Sequence, residues 1–289
     1  MFLICTVFFA IIYVKARARN QEQALQRMWF VTWLIGVPSN MCVIAVYAYN
    51  NEFNAIKREV KNGMISPIPY LLANSVLLIP VMFLLAASAL SVAGYGIIDF
   101  NGERYGEMLL VYACAMYAYE SLAQMLSVSF SNPLMGMLNF MQLWFSSFLF
   151  SGMFIKITDI VWPFRVFSYI LPFRYAAQSL VYQEFIAKPF RGAELCDPAD
   201  TGCLSHSGDT GVNDGWQCPG LSGDAVCYGR EGWQVLDTVG QSYEIISSDN
   251  TTWMNVGILL AISAVARIIY VVLMLHKSNQ ASTITAPKL

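Results

Sequence analysis

Charge is what this chain has least of. Asp, Glu, Lys and Arg make up 12% of its 289 residues while 56% are hydrophobic, where a soluble domain carries roughly 25% charged residues. That shortage excludes an ordinary water-soluble fold and implies a membrane protein embedded in the lipid bilayer. The formal net charge is -2 and no acidic or basic tail is present, which excludes a nucleic-acid partner held by the usual electrostatic footprint. Also missing is G-x-x-x-x-G-K-[ST], and no lysine follows a glycine; the usual ATP-cradling loop is excluded, and no cofactor is expected on this chain. No nucleophile stands at a recognisable spacing from a base, and His206 and His276 have no sequence partners that suggest catalysis. The chain is therefore not expected to be an enzyme by itself, and one acting on lipid is a remote alternative. No internal repeat or low-complexity tract occurs.

What the sequence has in abundance is long apolar runs. A helix rising 1.5 Å per residue needs about 20 apolar residues to cross roughly 30 Å of hydrocarbon while satisfying its own backbone. Five runs qualify: Met28 to Tyr49, Ile68 to Ala93, Met108 to Phe130, Leu134 to Ile155 and Trp253 to Leu275. Charged or turn-forming residues bound most of them, such as Asp99 to Glu103 and Ser131-Asn132-Pro133. A sixth run, residues 2–14, is short. It reads either as a signal-peptide core, followed by Ala16-Arg17-Ala18 but lacking preceding basic residues, or as the back half of a span that begins outside this chain. The second reading is the expectation. Pro80 is expected to kink the span that holds it, and Ser147 and Ser151 give small-residue spacing suited to close helix packing.

Residues 159–185 are apolar but carry Pro163, Pro172, Arg165, Arg174 and Glu184. A regular span with those residues is costly, so a re-entrant or interfacial segment is expected. From Ala187 to Thr252 the chain turns polar and Gly-rich and holds Cys196, Cys203, Cys218 and Cys227. Four cysteines in a small polar loop point to disulfides, which replace missing core at about 2–4 kcal/mol each. A zinc site using His206 is the alternative, but the intervals of six, fourteen and eight residues and the lack of C-x2-C are poor metal signatures. Four cysteines allow three pairings, and the spacing does not choose among them. The sequon at Asn250 is a candidate glycosylation site, close to the last span.

The expected fold is thus an all-α membrane protein: five full transmembrane helices plus a truncated first one, a re-entrant segment, and a disulfide-bearing external loop before the last helix. Its divisions are 1–185 for helices and re-entrant segment, 186–252 for the extracellular cysteine-containing loop, and 253–289 for the last helix and cytosolic tail. Alternation from the external loop makes the stretch "IKREVKNG" (56–63) cytosolic. It also makes residues 15–27 external, although Lys15, Arg17, Arg19 and Arg27 would be cytosolic by the positive-inside rule. Glu120 and Arg267 each lie about ten residues from a cytosolic span end, hence about 15 Å deep. A lone charge there costs at least about 2.5–3.5 kcal/mol. A structural ion pair or polar contact between the two spans is expected, with proton coupling as the alternative.

Three stretches carry a resemblance. "NEFNAIKREVKNGMISPIPYLLANSVLLIP" (51–80) is similar to an R-E-x-x-x-G-x-Y-S-x-x-x-Y-x-x-A pattern running into an I-P pair, with Ile65 where the pattern has Tyr. "FLFSGMFI" (148–155) supplies F-S-G at the end of a span, and "LPFRYAAQSLVYQEF" (171–185) supplies P-x-R-Y followed by E-F. Together they resemble the ABC-2 type permease of G-subfamily ATP-binding cassette transporters, the white and pleiotropic drug resistance exporters, from about residue 28 onward. The resemblance implies an ATP-driven exporter of lipids or amphipathic compounds in the plasma membrane, with two such domains paired as a homo- or pseudo-dimer. ATP and Mg would be held on a nucleotide-binding domain outside this chain, in the full polypeptide or on a partner. The family's cavity-lining positions match Trp33, Val37, Asn40 and Ile44 together with Met141, Phe145 and Phe148, each set at helical steps of three or four. Its apolar plug matches Met153 and Phe154, and its ATPase-coupling loop matches Lys57, Arg58, Glu59 and Lys61. Glu59 separates that last reading from a solvated positive-inside loop, which gains nothing from an acid. A passive channel, a scramblase or a non-transporting anchor would share the apolar spans.

The topology is testable directly. A single cysteine placed at 57–61 should react with an impermeant maleimide only after the cell is permeabilised, and reaction from outside intact cells would reverse the assignment.

Overall fold

The computed structural model describes residues 2–186, 188–197, 203–204, 215–220 and 226–283, with backbone alone for 278–283. Its organising element is α2 (Gln21–Lys61), 41 residues without a break. At 1.5 Å per residue that is about 60 Å, twice the hydrocarbon thickness, so the helix must extend well beyond any membrane. It continues past the apolar run because Phe53 and Ile56 recur one turn apart and bury against Leu71, Val128, Tyr270 and Met274. It stops where Gly63 adopts a left-handed φ of 71°, with the Gly63 amide donating to Val60 O and Met64 to Glu59 O, both at 3.0 Å. Lys57, Arg58, Glu59 and Lys61 therefore lie on the last turns of a helix. The connection to the next helix begins only at Asn62.

A proline inside α2 leaves a backbone acceptor open. Pro38 has no amide to donate to Leu34, and in a bundle without water that carbonyl needs another donor. Tyr112 of α4 (Tyr105–Ser129) provides it, its hydroxyl donating to Leu34 O at 2.7 Å. Helix α4 is the centre of the bundle: it packs on α2, α3 (Pro67–Ala89), α5 (Pro133–Leu149), α7 (Phe173–Phe185) and α9 (Thr252–Thr283). Sixteen of its 25 residues are buried, which explains how it carries Glu120, Ser121 and Gln124 without presenting them to lipid. Its last carbonyls are capped from both sides: Asn50 Nδ2 donates to Ser127 O at 2.7 Å and Lys277 Nζ to Ser129 O at 3.0 Å.

Among the described residues three helices are long and apolar enough to cross a membrane, Gln21–Lys61, Pro67–Ile98 and Thr252–Lys277. The second is α3 continued by a π-helical stretch, Leu90–Ile98, and it runs on as helix across Pro80. The other two expected full spans are α4, long but rich in polar residues, and α5, with 17 residues. The short run at the start forms α1 (Phe2–Ile12), packed against α2.

The region expected to be re-entrant is a broken helical pair, α6 (Arg165–Ile170) and α7, divided at Leu171-Pro172. Its arginines are accommodated by aromatic rings, Arg165 over Trp162 at 5.8 Å and Arg174 over Tyr169 at 5.6 Å. The polar segment after it is more structured than a loop. It contains an antiparallel pair, β1 (Glu194–Cys196) and β2 (Gly215–Gln217), with Leu195 opposite Trp216, and α8 (Gly232–Ser242), which buries Val235, Leu236 and Val239. Gly232 lets α8 touch α7: a Cβ there would stand 1.9 Å from Phe185 O.

One buried ion cluster ties this end of the bundle together. Glu184 on α7 and Arg27 on α2 are both fully buried, 2.6 Å apart. Arg19 also pairs with Glu184 Oε1. Arg27 further donates to Ala16 O at 2.8 Å and Asp99 O at 2.7 Å, and the Asn101 amide donates to Glu184 Oε2 at 3.0 Å. Replacing Glu184 by Ala strands the fully buried Arg27 guanidinium without a carboxylate and should cost about 3–5 kcal/mol, read as a large drop in melting temperature of the detergent-solubilised protein.

Candidate functional site

The seven residues matched to a cavity all lie along the seam between α2 and α5, which run antiparallel. The Trp33 and Phe148 rings meet at 5.4 Å, the Trp144 indole donates to Ser39 Oγ at 2.8 Å, and Val46 sits over Gly136. Phe148 is buried, while Trp33, Val37 and Asn40 are half-buried. Further along the seam Ile44, Met141 and Phe145 are 50%, 39% and 58% exposed. The result is an apolar surface that is closed at the Trp33–Phe148 end and, among the described residues, open along its length at Ile44, Met141 and Phe145.

At the closed end the chain turns sharply. Phe148 and Phe150 close α5, and Gly152 takes φ 90°, a conformation that a side chain would strain. Met153 then buries into the core and Phe154, half exposed, sits between Phe148 at 5.0 Å and Trp29 at 5.8 Å. Ser147 fixes this corner, sharing a hydrogen bond with the Tyr119 hydroxyl at 2.9 Å and accepting from the Phe173 amide at 3.3 Å. The two residues matched to a plug thus have unlike surroundings, one packed and one facing the seam.

Glu120 and Arg267 do not form an ion pair among the described residues. They belong instead to one polar network in which Arg267 engages the neighbours of Glu120 on α4. Its guanidinium bonds Gln124 Oε1, donates to Ser121 Oγ at 3.1 Å, and lies over the Tyr117 ring at 5.1 Å. Glu120 accepts from the Tyr49 hydroxyl of α2 at 2.6 Å. Both charges are nearly buried. The expected contact between spans is therefore hydrogen-bonded through amide and hydroxyl groups, and it links α2, α4 and α9.

The far end of α2 presents Arg58 and Lys61 to solvent, with Lys57 and Glu59 half-buried. Arg58 and Lys61 also complement the negative end of the helix dipole. At the opposite end, Cys196 pairs with Cys203 and Cys218 with Cys227, choosing one of the three pairings left open. His206 lies outside the described residues, and no metal-holding cluster of His, Cys, Asp and Glu occurs among those described. Asn250 is exposed, two residues before α9, while Thr252 of its sequon is buried and accepts from Gln183 at 2.9 Å. Arg191 N donates to Arg19 O at 2.7 Å, so the basic 15–27 stretch and the disulfide segment share one end of the bundle.

Sequence reading missed Glu184 as the partner of Arg27, since 157 positions separate them. It also missed Tyr112, for which Pro38 inside an apolar run was a usable signal.

The chain is thus a helical membrane bundle with an open seam, a long helix projecting from one end and a disulfide-held segment at the other. The model of the ABC-2 type transporter family matches residues 1–185, and the chain belongs to that family, as a membrane component of a transporter. It is also 22% identical over 273 residues to ABC transporter G family member 23 of Arabidopsis thaliana, an alignment covering 94% of this chain. The chain spans 38% of the length of that relative.

Glu120→Gln preserves an acceptor for Tyr49 and leaves the Arg267 bonds in place, so stability should change by less than about 1 kcal/mol in a melting experiment. A pH-dependent change in transport by that folded variant would identify proton coupling in place of a structural role.

Proposed function

We propose that this chain forms half of the translocation path of an ATP-driven exporter of lipids or amphipathic compounds, working by alternating access between two paired membrane domains in the plasma membrane. The observation that carries this reading is the open apolar seam of α2 and α5. Ile44, Met141 and Phe145 are exposed on it beside the aromatic floor of Trp33 and Phe148. A second domain set against the seam would close it into a cavity walled by aromatic and methionine side chains, which suit apolar cargo of varied shape.

The projecting end of α2 supports a mechanical role. A continuous helix transmits a displacement along its axis, and the α2 half of the cavity set, Trp33, Val37, Asn40 and Ile44, sits on the same helix as Lys57, Arg58, Glu59 and Lys61. A nucleotide-binding domain that pressed on this end would move the wall of the cavity directly, with ATP and Mg held on that domain. Met153 and Phe154 would close the path at the other end, and Phe154, resting on Phe148 and Trp29, is the member placed to swing aside.

In the assembled transporter, Glu59→Lys should lower cargo transport about tenfold, within the 1–3 kcal/mol typical of coupling between sites, while ATP hydrolysis continues and the melting temperature holds. Equal loss of both activities would place Glu59 outside the coupling surface. Replacing Met153 and Phe154 together by Ala should raise ATP hydrolysis without cargo or produce leak in a vesicle flux assay; unchanged transport and basal hydrolysis would remove them as a plug.

A further inference from the structure

Of the 17 lysines and arginines in the chain, six line a single cleft at the disulfide-bearing end: Lys15, Arg17, Arg19, Lys188, Arg191 and Arg230. The cleft has a volume of about 1120 Å³ and one lining carboxylate, Asp99. Arg19 is already committed, since it pairs with Glu184, which leaves five cations facing the single carboxylate of Asp99. Like charges that share one cleft repel one another, and an anion among them relieves that repulsion. Burial pushes the Arg19 guanidinium down to about 10, with Glu184 opposing and Arg27 adding to the effect. The positive-inside bias does not account for this concentration, because the same end carries the disulfides.

The walls are built. Gln21, almost fully buried, donates to Gly229 O at 2.7 Å and accepts from the Tyr228 amide at 2.9 Å. Phe190 N donates to Arg230 O and Arg191 N to Arg19 O, both at 2.7 Å. Three chain segments, 14–23, 188–193 and 228–230, are thereby locked around the cleft, so the cations are gathered before any ligand arrives. The first turn of α2 opens into the same space: Asn20 caps it without a side-chain hydrogen bond, and Asn20 and Gln23 line the cleft. That adds the positive end of the helix dipole.

We propose that this cleft is a binding site for a phosphate-bearing anion, held by Lys15, Arg17, Lys188, Arg191 and Arg230 against the first turn of α2. Several oxygens carrying more than one negative charge match several separated cations, and arginine forks suit phosphate oxygens. The volume admits a lipid headgroup or a soluble phosphate, and the chemistry is shared by both. The site is independent of the α2–α5 seam, and its test does not depend on transport.

The test uses the assembled transporter in phosphatidylcholine nanodiscs, titrated with inorganic phosphate by calorimetry. In parallel, native mass spectrometry follows retention of phosphatidic acid added to the nanodiscs. The double substitution R191Q/R230Q should weaken binding at least about tenfold, the loss of about 1.4 kcal/mol. K15Q/R17Q on the opposite wall should do the same, so a folding defect in one pair does not decide the result. R191K/R230K should recover part of the affinity. A response to inorganic phosphate supports the site with a soluble ligand, and retention of phosphatidic acid without that response supports it with a lipid headgroup. The proposal is overturned if neither probe binds, if both double variants bind as tightly as the native protein, or if chloride at matched ionic strength competes equally.

Discussion

The pairing of Glu184 with Arg27 is the contact on which the disulfide-bearing end of the molecule depends. Both groups are out of water, and an ion buried alone costs several kcal/mol, so everything around them has to supply hydrogen bonds. It does so from four places in the chain. Arg27 binds the carbonyls of Ala16 and Asp99, Glu184 takes the Asn101 amide, and Arg19 joins from the α1–α2 link. The link, the π-helical end of α3, the head of α2 and the tail of α7 are thus fixed to one another. Because α7 also meets α8 through the close approach at Gly232, the disulfide segment is seated on the same cluster. The basic cleft takes its shape from these contacts too, since Arg19 and Asp99 are shared between cluster and cleft.

The rest of the bundle shows the same principle in weaker form: several polar groups removed from water find partners on another helix. Pro38 frees the Leu34 carbonyl and Tyr112 occupies it. The last turn of α4 leaves carbonyls open, and Asn50 and Lys277 fill them. Arg267 reaches Ser121 and Gln124, while Tyr49 reaches Glu120. These bonds connect α4 to α2 and α9, making it the hub of the bundle, whereas α5 presents one side of itself to the open seam.

Much of the architecture was legible in the residues. Apolar runs located the long helices, Pro172 and the flanking charges marked a break in helical regularity, and four cysteines in a polar stretch announced disulfides. The cavity and coupling positions came from family likeness, and the structure places the first set on one seam and the second on the same helix as half of it. Less legible were features that depend on pairs distant in sequence or on patterns too short to read. The charges of "IKREVKNG" hid the Phe53 and Ile56 repeat that carries α2 unbroken to Lys61. Helix α8 was hidden in a polar segment, although Val235, Leu236 and Val239 give it one apolar side.

The sequence by itself determined that this is a membrane protein, since too few charges and too many long apolar runs leave no soluble fold, and its motifs pointed to the transporter family. Tertiary structure alone decided which cysteines pair, that Glu120 and Arg267 share a network without forming an ion pair, and that six scattered cations gather in one cleft. The physical reason is the same in each case. Apolar burial is a property of local composition, whereas charge compensation and hydrogen-bond satisfaction are settled between groups that the chain brings together from positions far apart.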